Sequence, residues 1–377
     1  MTKLACFPAT LLLQQTEVIL TGWGMAAPVA QQTAKLIVET DLLGIDSHGI
    51  SMLPHYDRLL RAGQWQPAGK TRLLTETPTT AVLDGGHSLG HATARRAIEL
   101  AVDKSEQYGL GCVVVRNANH FGAAGLYARY AAARGKIALV TSTTRNRMLV
   151  PSRAAQPVLG TNPIAFAAPA GSNEDFALDM ATTTVAANKI KVYDYQDQEL
   201  PAGWVVNARG EAVTNSREGM STVFEQAEGG LTPLGGPEQN GGHKGYGLAM
   251  MAQILAGTLA GSAFAATRPA GEIADIGHFF LAINPGAFGP LAQFRQGLDE
   301  IIDTLHTTPA SDPASPVLVA GEPENNTRRQ REAQGIPLPA SLLLQLREIC
   351  QQHGFTDLLT PYASQWQPPI AGRRLRV

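Results

Sequence analysis

Residues 91–143 read HATARRAIELAVDKSEQYGLGCVVVRNANHFGAAGLYARYAAARGKIALVTST, and they decide the fold class. HATARRAIELAVDKSEQYG reads as a helix that Gly109 closes, because glycine tolerates the left-handed conformation common just past a helix end. GCVVVRNANHFG then turns to β-branched residues and next to polar ones, a buried strand running into a loop. GAAGLYARYAAARG is helical again, and KIALVTST is a second strand. Helix, strand, helix, strand within 53 residues points to an α/β protein.

The pattern extends in both directions. RLLTE (72–76) and TAVLDGG (80–86) read as short extended pieces. Further apolar runs come at PIAFAAP (163–169), DFALDMA (175–181), HFFLAIN (278–284) and PVLVAGE (316–322), alternating with long helices at 243–264, 290–306 and 338–353. The expected sheet is mixed or largely parallel, covered on both faces. Residues 10–63 look mainly helical, with a break at Gly22–Gly24, since TLLLQQTEVIL and APVAQQTAKLIVETDLLG carry amphipathic spacing. Residues 186–242 are polar and Gly-rich and are expected to form loops around a small strand pair.

Bulk properties exclude several classes of function. Thirty Lys and Arg against 32 Asp and Glu leave a formal charge of −2, so nothing electrostatic favours nucleic acid or an anionic membrane. Cys6, Cys112 and Cys350 are odd in number and far apart, which fits a reducing cytoplasm rather than a disulfide framework. The start, MTKLACFP, has lysine and an LAC triplet but no hydrophobic region before the cysteine, so an export signal is rejected. Apolar stretches elsewhere are too short or too interrupted to span a bilayer.

No G-x-G-x-x-G opens a helix after a strand, and no P-loop, G-x-S-x-G or H-E-x-x-H is present. Four clusters can still carry chemistry. Asp46-Ser47-His48 is either a helix N-cap with an incidental histidine or an oriented proton donor. Asn119-His120-Phe121-Gly122 follows a strand, where ligands collect in α/β proteins, and Gly122, Ala123 and Ala124 are small enough for a cofactor to approach the backbone. Asp179 in FALDMATTT is a carboxylate in a buried strand, so it is either paired or a ligand contact. The run GGLTPLGGPEQNGGHKGYG (229–247) is either a flexible loop or a phosphate site with Lys244 at a helix start. His87 and His91 are spaced for one helical face, but Gly90 lies between them and no third ligand is near, so no metal is expected. His55 reads as a surface or packing residue.

Taken in order, DLLGIDSHGISMLPHY (41–56), NANHFGAAGLYA (117–128), LGTNPIAFAAP (159–169), LDMATTTVA (178–186), GGHKGYGLAMM (241–251), GHFFLAINP (277–285) and VLVAGEPE (317–324) form a recognisable series. Over about residues 10–340 the chain resembles the malate/L-lactate dehydrogenase family of non-Rossmann oxidoreductases. The resemblance implies an unusual mixed-sheet α/β fold with helical N- and C-terminal segments. It also implies a homodimer, a nicotinamide cofactor (NAD or NADP), and hydride transfer to or from a C=O or C=N carbon of a small substrate. Residues 1–75 with 285–377 are then expected to form a helical dimerisation and substrate lobe, interwoven with a cofactor-binding lobe at 76–284.

Ser47 and His48 match the family's relay pair, and His120 matches an acid/base histidine beside the nicotinamide. Thr161 matches a substrate contact. Cofactor contacts are implied for His120, Phe121, Gly122, Ala123 and Ala124, for Asp179, Met180 and Ala181, for Leu234, Gly235 and Gly236, and for Gly321, Glu322 and Pro323. There are three departures. Met52 stands where the family has an arginine that clamps the substrate carboxylate, a contact worth roughly 1.5–3 kcal/mol. Either the substrate is non-standard, lacking that carboxylate or presenting an apolar group to Met52, or another cation replaces the arginine. The segment TTRNRMLVPSR (143–153) is unusual, and Arg145 or Arg147 is the candidate replacement charge. Lys189 replaces an acidic relay residue of the imine reductases, which leaves reduction of a cyclic imine acid as the second reading. A member that binds cofactor or partner without turnover is the third.

Overall fold

The computed structural model describes residues 5–195, 197–269 and 271–365. Residues 1–4 of the rejected export signal and residues 366–377 of the expected C-terminal lobe lie outside them. The chain begins with β1 (Ala5–Phe7), α1 (Ala9–Gly22), α2 (Ala27–Leu42), α3 (Leu53–Arg61), β2 (Arg72–Glu76) and β3 (Thr80–Asp84). It continues through α4 (Gly90–Tyr108), β4 (Leu110–Ala118), α5 (Gly125–Ala132), β5 (Ile137–Ser142), β6 (Ile164–Ala168) and β7 (Phe176–Met180). Next come α6 (Ala187–Tyr195), β8 (Val205–Val206), α7 (Ser216–Phe224), β9 (Gly230–Leu231), α8 (Gly242–Ala252) and β10 (Ile276–Ile283). The last elements are α9 (Leu291–Thr307), α10 (Glu322–Gln334), β11 (Ile336–Leu338), α11 (Ala340–His353) and α12 (Leu359–Gln365). They divide into two compact units, Met1–Ala62 with Glu324–Val377, and Gly63–Pro323. No helix among the described residues is long and apolar enough to cross a membrane.

The first unit is helical. α1 buries Leu12, Gln15, Thr16, Ile19 and Leu20, the three- and four-residue spacing of one helix face. Its buried Gln15 is satisfied by long-range backbone bonds, donating to Thr356 O at 3.1 Å and accepting from Leu358 N at 2.6 Å. β1 pairs antiparallel with β11, Ala5 opposite Leu338, so the two distant segments of the unit are stitched by one ribbon.

The second unit is built on a seven-stranded sheet in the order β2-β3-β4-β10-β5-β6-β7. The sheet is mixed, with β3 and β4 its parallel pair. The local pattern β4–α5–β5 is a crossover between strands that run in the same direction, as the alternation in residues 91–143 suggests. However, β10 arrives from far along the chain, inserts between them and runs antiparallel to both. That long-range insertion gives the sheet its mixed character. α4 lies against β4 and β10, and a Cβ on Gly111 would sit 2.0 Å from Ala101 O, so this close helix–sheet contact needs glycine. Gly109, at φ +81°, ends α4 as expected from the sequence.

Residues 186–242 hold two short helices, α6 and α7, beside the β8–β9 ribbon, more order than the loops expected from sequence. Their apolar residues form one core of Val185, Ile190, Leu200, Val205, Val213, Val223 and Leu231. These contributors are separated by up to ten residues, so no single segment shows a clear period. Tertiary packing makes the helices here, which local periodicity cannot reveal.

Candidate active site

In the second unit the strand register gathers the candidate residues at one sheet edge. Ile276 lies opposite Ala118, His278 opposite Ser142, Thr141 opposite Ile164, and Ile164 opposite Met180. The ends of β4, β5 and β7 and the starts of β6 and β10 therefore share that edge. From it leave the segments carrying His120, Arg145, Thr161 and Ala181.

His120 is half-buried just past β4. Its Nδ1 receives the Gly122 N–H at 3.3 Å, and a backbone N–H can only donate. The neutral ring therefore carries its proton on Nε2. The loop around it is tightly held: Gly90 N donates to His120 O at 2.9 Å, and Asn119 Nδ2 donates to Gln64 O and His87 O, each at 3.3 Å. Phe121, Gly122, Ala123 and Ala124 are buried. His91 is buried with its ring centroid 6.4 Å from that of His120, while His87, at φ +55°, approaches Ala274 O at 3.4 Å.

Asp179 accepts the Gly125 N–H at 2.7 Å, so its carboxylate sits at the N-terminus of α5. Thr161 O accepts from Thr182 N (2.9 Å), and Thr182 O accepts from Leu234 N (2.8 Å). Gly236 N donates to Thr184 Oγ1 at 3.1 Å. One hydrogen-bonded path thus joins Thr161, the segment after Ala181, and the turn Leu234-Gly235-Gly236. That turn is pressed against the start of α8. A Cβ on Gly242 would lie 1.9 Å from Gly236 O, and one on Gly245 would lie 2.3 Å from Leu234 O. Gly242 and Gly245 of the 229–247 run thus serve close packing. α8 starts without a side-chain cap, and Lys244 in its first turn is exposed. Gly321 O accepts from Arg129 Nη2 at 3.1 Å, and Ala177 N donates to Ala320 O at 3.0 Å, which lays this segment along β7. Glu322 is committed to Val319 N (2.8 Å) and His306 Nε2 (2.8 Å), and Pro323 is exposed.

Arg145 and Arg147 differ sharply. Arg147 is exposed, whereas Arg145 is half-buried and donates from Nη2 to Gln64 Oε1 at 3.0 Å. Its Nη1 is buried without a hydrogen-bond partner among the described residues. Burial, and then the nearby charge of Arg268, hold its pKa below the ordinary arginine value.

The first unit carries Ser47, His48 and Met52. The helix-cap alternative does not describe this turn, because the 3₁₀ turn Ile50–Met52 has no side chain of Asp46 or Ser47 capping it. Asp41 does that work, accepting the Ile50 N–H at 2.8 Å, and Ser47 Oγ lies 2.7 Å from His48 Nδ1. Asp46 pairs instead with Arg331, which also donates to Asp41 O, so one arginine clamps both ends of the turn. Gly49 is obligatory, since a Cβ there would lie 1.8 Å from Asp41 Oδ1. Met52 is half-buried. Asp41 and Arg331 escaped the sequence reading. Asp41 left one signal, an acid in the last turn of α2, where the helix dipole disfavours it.

Desolvation pushes His48 down to about 4 and His278 down to about 3, while a bond to Asn119 O acts weakly the other way on His278. Both rings are therefore neutral in the folded protein at pH 7, whereas unfolded histidine titrates near 6.5. Between these values the unfolded chain binds more protons, so their stabilisation is complete above about pH 6.5 and is lost as pH falls toward 4 and 3. Burial raises the carboxyl of Asp41, which acts in the opposite direction. The comparison that isolates one histidine is urea unfolding of the parent and of His278→Gln from pH 7.5 to pH 4.5. The parent should lose stability more steeply, and equal slopes would contradict a buried neutral His278.

The fold is an α/β one of non-Rossmann topology, with candidate residues of the second unit at one edge of a mixed sheet. Comparison with known proteins gives the class a name. The malate/L-lactate dehydrogenase family matches residues 7–347. The malate dehydrogenase of Pyrococcus abyssi is 36% identical over 344 residues, covering 90% of this chain and 92% of that protein. The L-sulfolactate dehydrogenase of Methanocaldococcus jannaschii is 34% identical over 341 residues, 89% of this chain and 94% of that protein. The crystal structure of malate dehydrogenase from Entamoeba histolytica superposes with a TM-score of 0.89 at 28% identity, covering 94% of this chain and 99% of that one. The chain belongs to the malate/L-lactate dehydrogenase family, and it is an oxidoreductase.

Proposed function

We propose that this protein moves a hydride between a nicotinamide dinucleotide, NAD or NADP, and the C=O or C=N carbon of a small anionic substrate, working as a homodimer. The observation that carries this reading is the place of His120, a half-buried imidazole whose Nδ1 receives the Gly122 N–H, at the sheet edge shared by Arg145 and Thr161. The bound nicotinamide supplies or accepts the hydride. His120 hydrogen-bonds the substrate oxygen or nitrogen through Nε2–H and passes it that proton while Nδ1 takes one up in its place, the Gly122 N–H moving aside. Thr161 and Arg145 orient the substrate, and Ser47 with His48 forms the second proton-handling pair.

The residues fit such a cofactor. The start of α8 has no side-chain cap, although Gly242 N already donates to Pro237 O and Lys244 N to Gly241 O. Lys244 adds positive charge there, and Gly235-Gly236 keep the approach free of side chains. Asp179 already fills the N-terminus of α5 and would repel phosphate there. We therefore assign the diphosphate to α8, and the nicotinamide end to the side of His120, Phe121 and Met180–Ala181. Gly321 and Glu322 border the same edge strand, β7. The test is oxidation of NADH and of NADPH, followed by absorbance, with oxaloacetate, sulfopyruvate, pyruvate, a diketone and a cyclic imine acid. Turnover of one or more oxo acids is expected. Turnover of the imine alone would favour the second reading, and no turnover together with no cofactor binding would sink the proposal.

A further inference from the structure

His278 belongs to none of the roles above, yet it is wholly buried in the middle of the sheet. Its neighbours on β10, Phe279 and Phe280, show what an ordinary core position there accepts. An imidazole costs more to bury than a phenyl ring unless both nitrogens are satisfied. Here they are. Nε2 lies 3.1 Å from Asn119 O, a carbonyl that can only accept, so Nε2 carries the proton. In the neutral ring Nδ1 then accepts from Ser142 Oγ at 2.8 Å. The ring also stacks on Phe121, with centroids 4.3 Å apart and planes 1° from parallel.

These contacts fall on the two residues that flank His120. One edge of His278 holds the carbonyl of Asn119, and its face holds the ring of Phe121, whose own carbonyl is held by Tyr127 Oη at 2.5 Å. A Cβ on Gly90 would lie 2.3 Å from Asn119 O and 2.9 Å from His278 Nε2, so the fit tolerates no bulk at that point. We propose that His278, oriented by Ser142, is the positioning residue of His120: it grips the residue on each side and so fixes where that imidazole stands. This rests on the reading of His120 as the group that meets substrate. A displacement of about 1 Å at a reacting group can cost up to about 100-fold in rate, so such a residue can matter without touching substrate.

The test uses the full chain with three variants. His278→Phe keeps volume and stacking but loses both hydrogen bonds, His278→Gln keeps a donor toward Asn119 O, and Ser142→Ala frees Nδ1. The first readout is ¹⁵N NMR of the histidine rings without cofactor. The parent should show His120 as the Nε2–H tautomer, His278→Phe should give a tautomer mixture with a displaced titration midpoint, and His278→Gln should restore most of the parent spectrum. The second readout is NADH oxidation with oxaloacetate, where His278→Phe should lower kcat about tenfold with KM within about twofold. Urea unfolding runs alongside. The proposal is overturned if folded His278→Phe keeps the parent His120 spectrum and pH profile, or if Gln and Phe lose activity equally and in step with stability. If His278→Phe does not fold, Ser142→Ala decides: an unchanged His120 titration overturns the proposal. His120→Ala is the control, because full activity in that variant removes the role of His120 itself and leaves the NMR result on His278 standing.

Discussion

Replacing His120 with alanine is expected to lower kcat by roughly 10²–10⁴, the usual range for loss of a positioned acid–base group, with NADH affinity changed only a fewfold. The size of the effect follows from how the ring is prepared. Gly122 N–H occupies Nδ1, so protonating that nitrogen would set two donors against each other and force the turn to shift. In the neutral ring Nε2 therefore carries the proton, and that form can polarise a carbonyl and stabilise charge developing on oxygen. His48 is a weaker candidate for the same job near neutral pH, because desolvation holds it at about 4 and so opposes the uptake of a second proton that passing one on requires. Its alanine variant should lose less rate than that of His120. Single-turnover NADH oxidation separates the chemical step from product release. If His48→Ala proves the more damaging, the two histidines exchange roles; if both variants retain parental rates, neither is the proton donor.

The sequence made the candidate site residues easier to pick out than their supports. Strands such as GCVVVR and PIAFAA announce themselves because β-branched and apolar residues cluster within five or six positions. The order of those strands is another matter. β10 lies more than 130 residues beyond β5, and nothing local in HFFLAIN says that it will separate β4 from β5. Polar supports are hidden for the same reason. Arg331 reaches Asp46 across 285 residues, and His278 reaches Asn119 across 159, so neither pair leaves a spacing to detect. Glycines were ambiguous in a different way. The run at 229–247 is compositionally that of a loop, and only the turn packed against α8 shows why Gly242 and Gly245 admit no side chain.

Arg145→Ala should raise KM for an anionic substrate roughly 10–100-fold while leaving kcat within a fewfold, the signature of lost binding shared by ground and transition states. In the protein alone this arginine is poorly compensated. Gln64 takes one nitrogen, another is buried without a partner among the described residues, and Arg268 adds like charge nearby. A guanidinium in that setting costs stability unless something negative completes it. An anionic group of the substrate would do so, and it would replace the arginine that resemblance to the family leads one to expect at Met52. Two comparisons separate this reading from a structural one. Arg147 is exposed, so Arg147→Ala should leave KM unchanged. Arg145→Lys should recover little, because a point charge does not reproduce the planar fork of donors. Removing an uncompensated charge should leave the urea midpoint level or raise it. A lower midpoint with unchanged KM would instead make Arg145 part of the scaffold, and the substrate's negative charge would then need another partner.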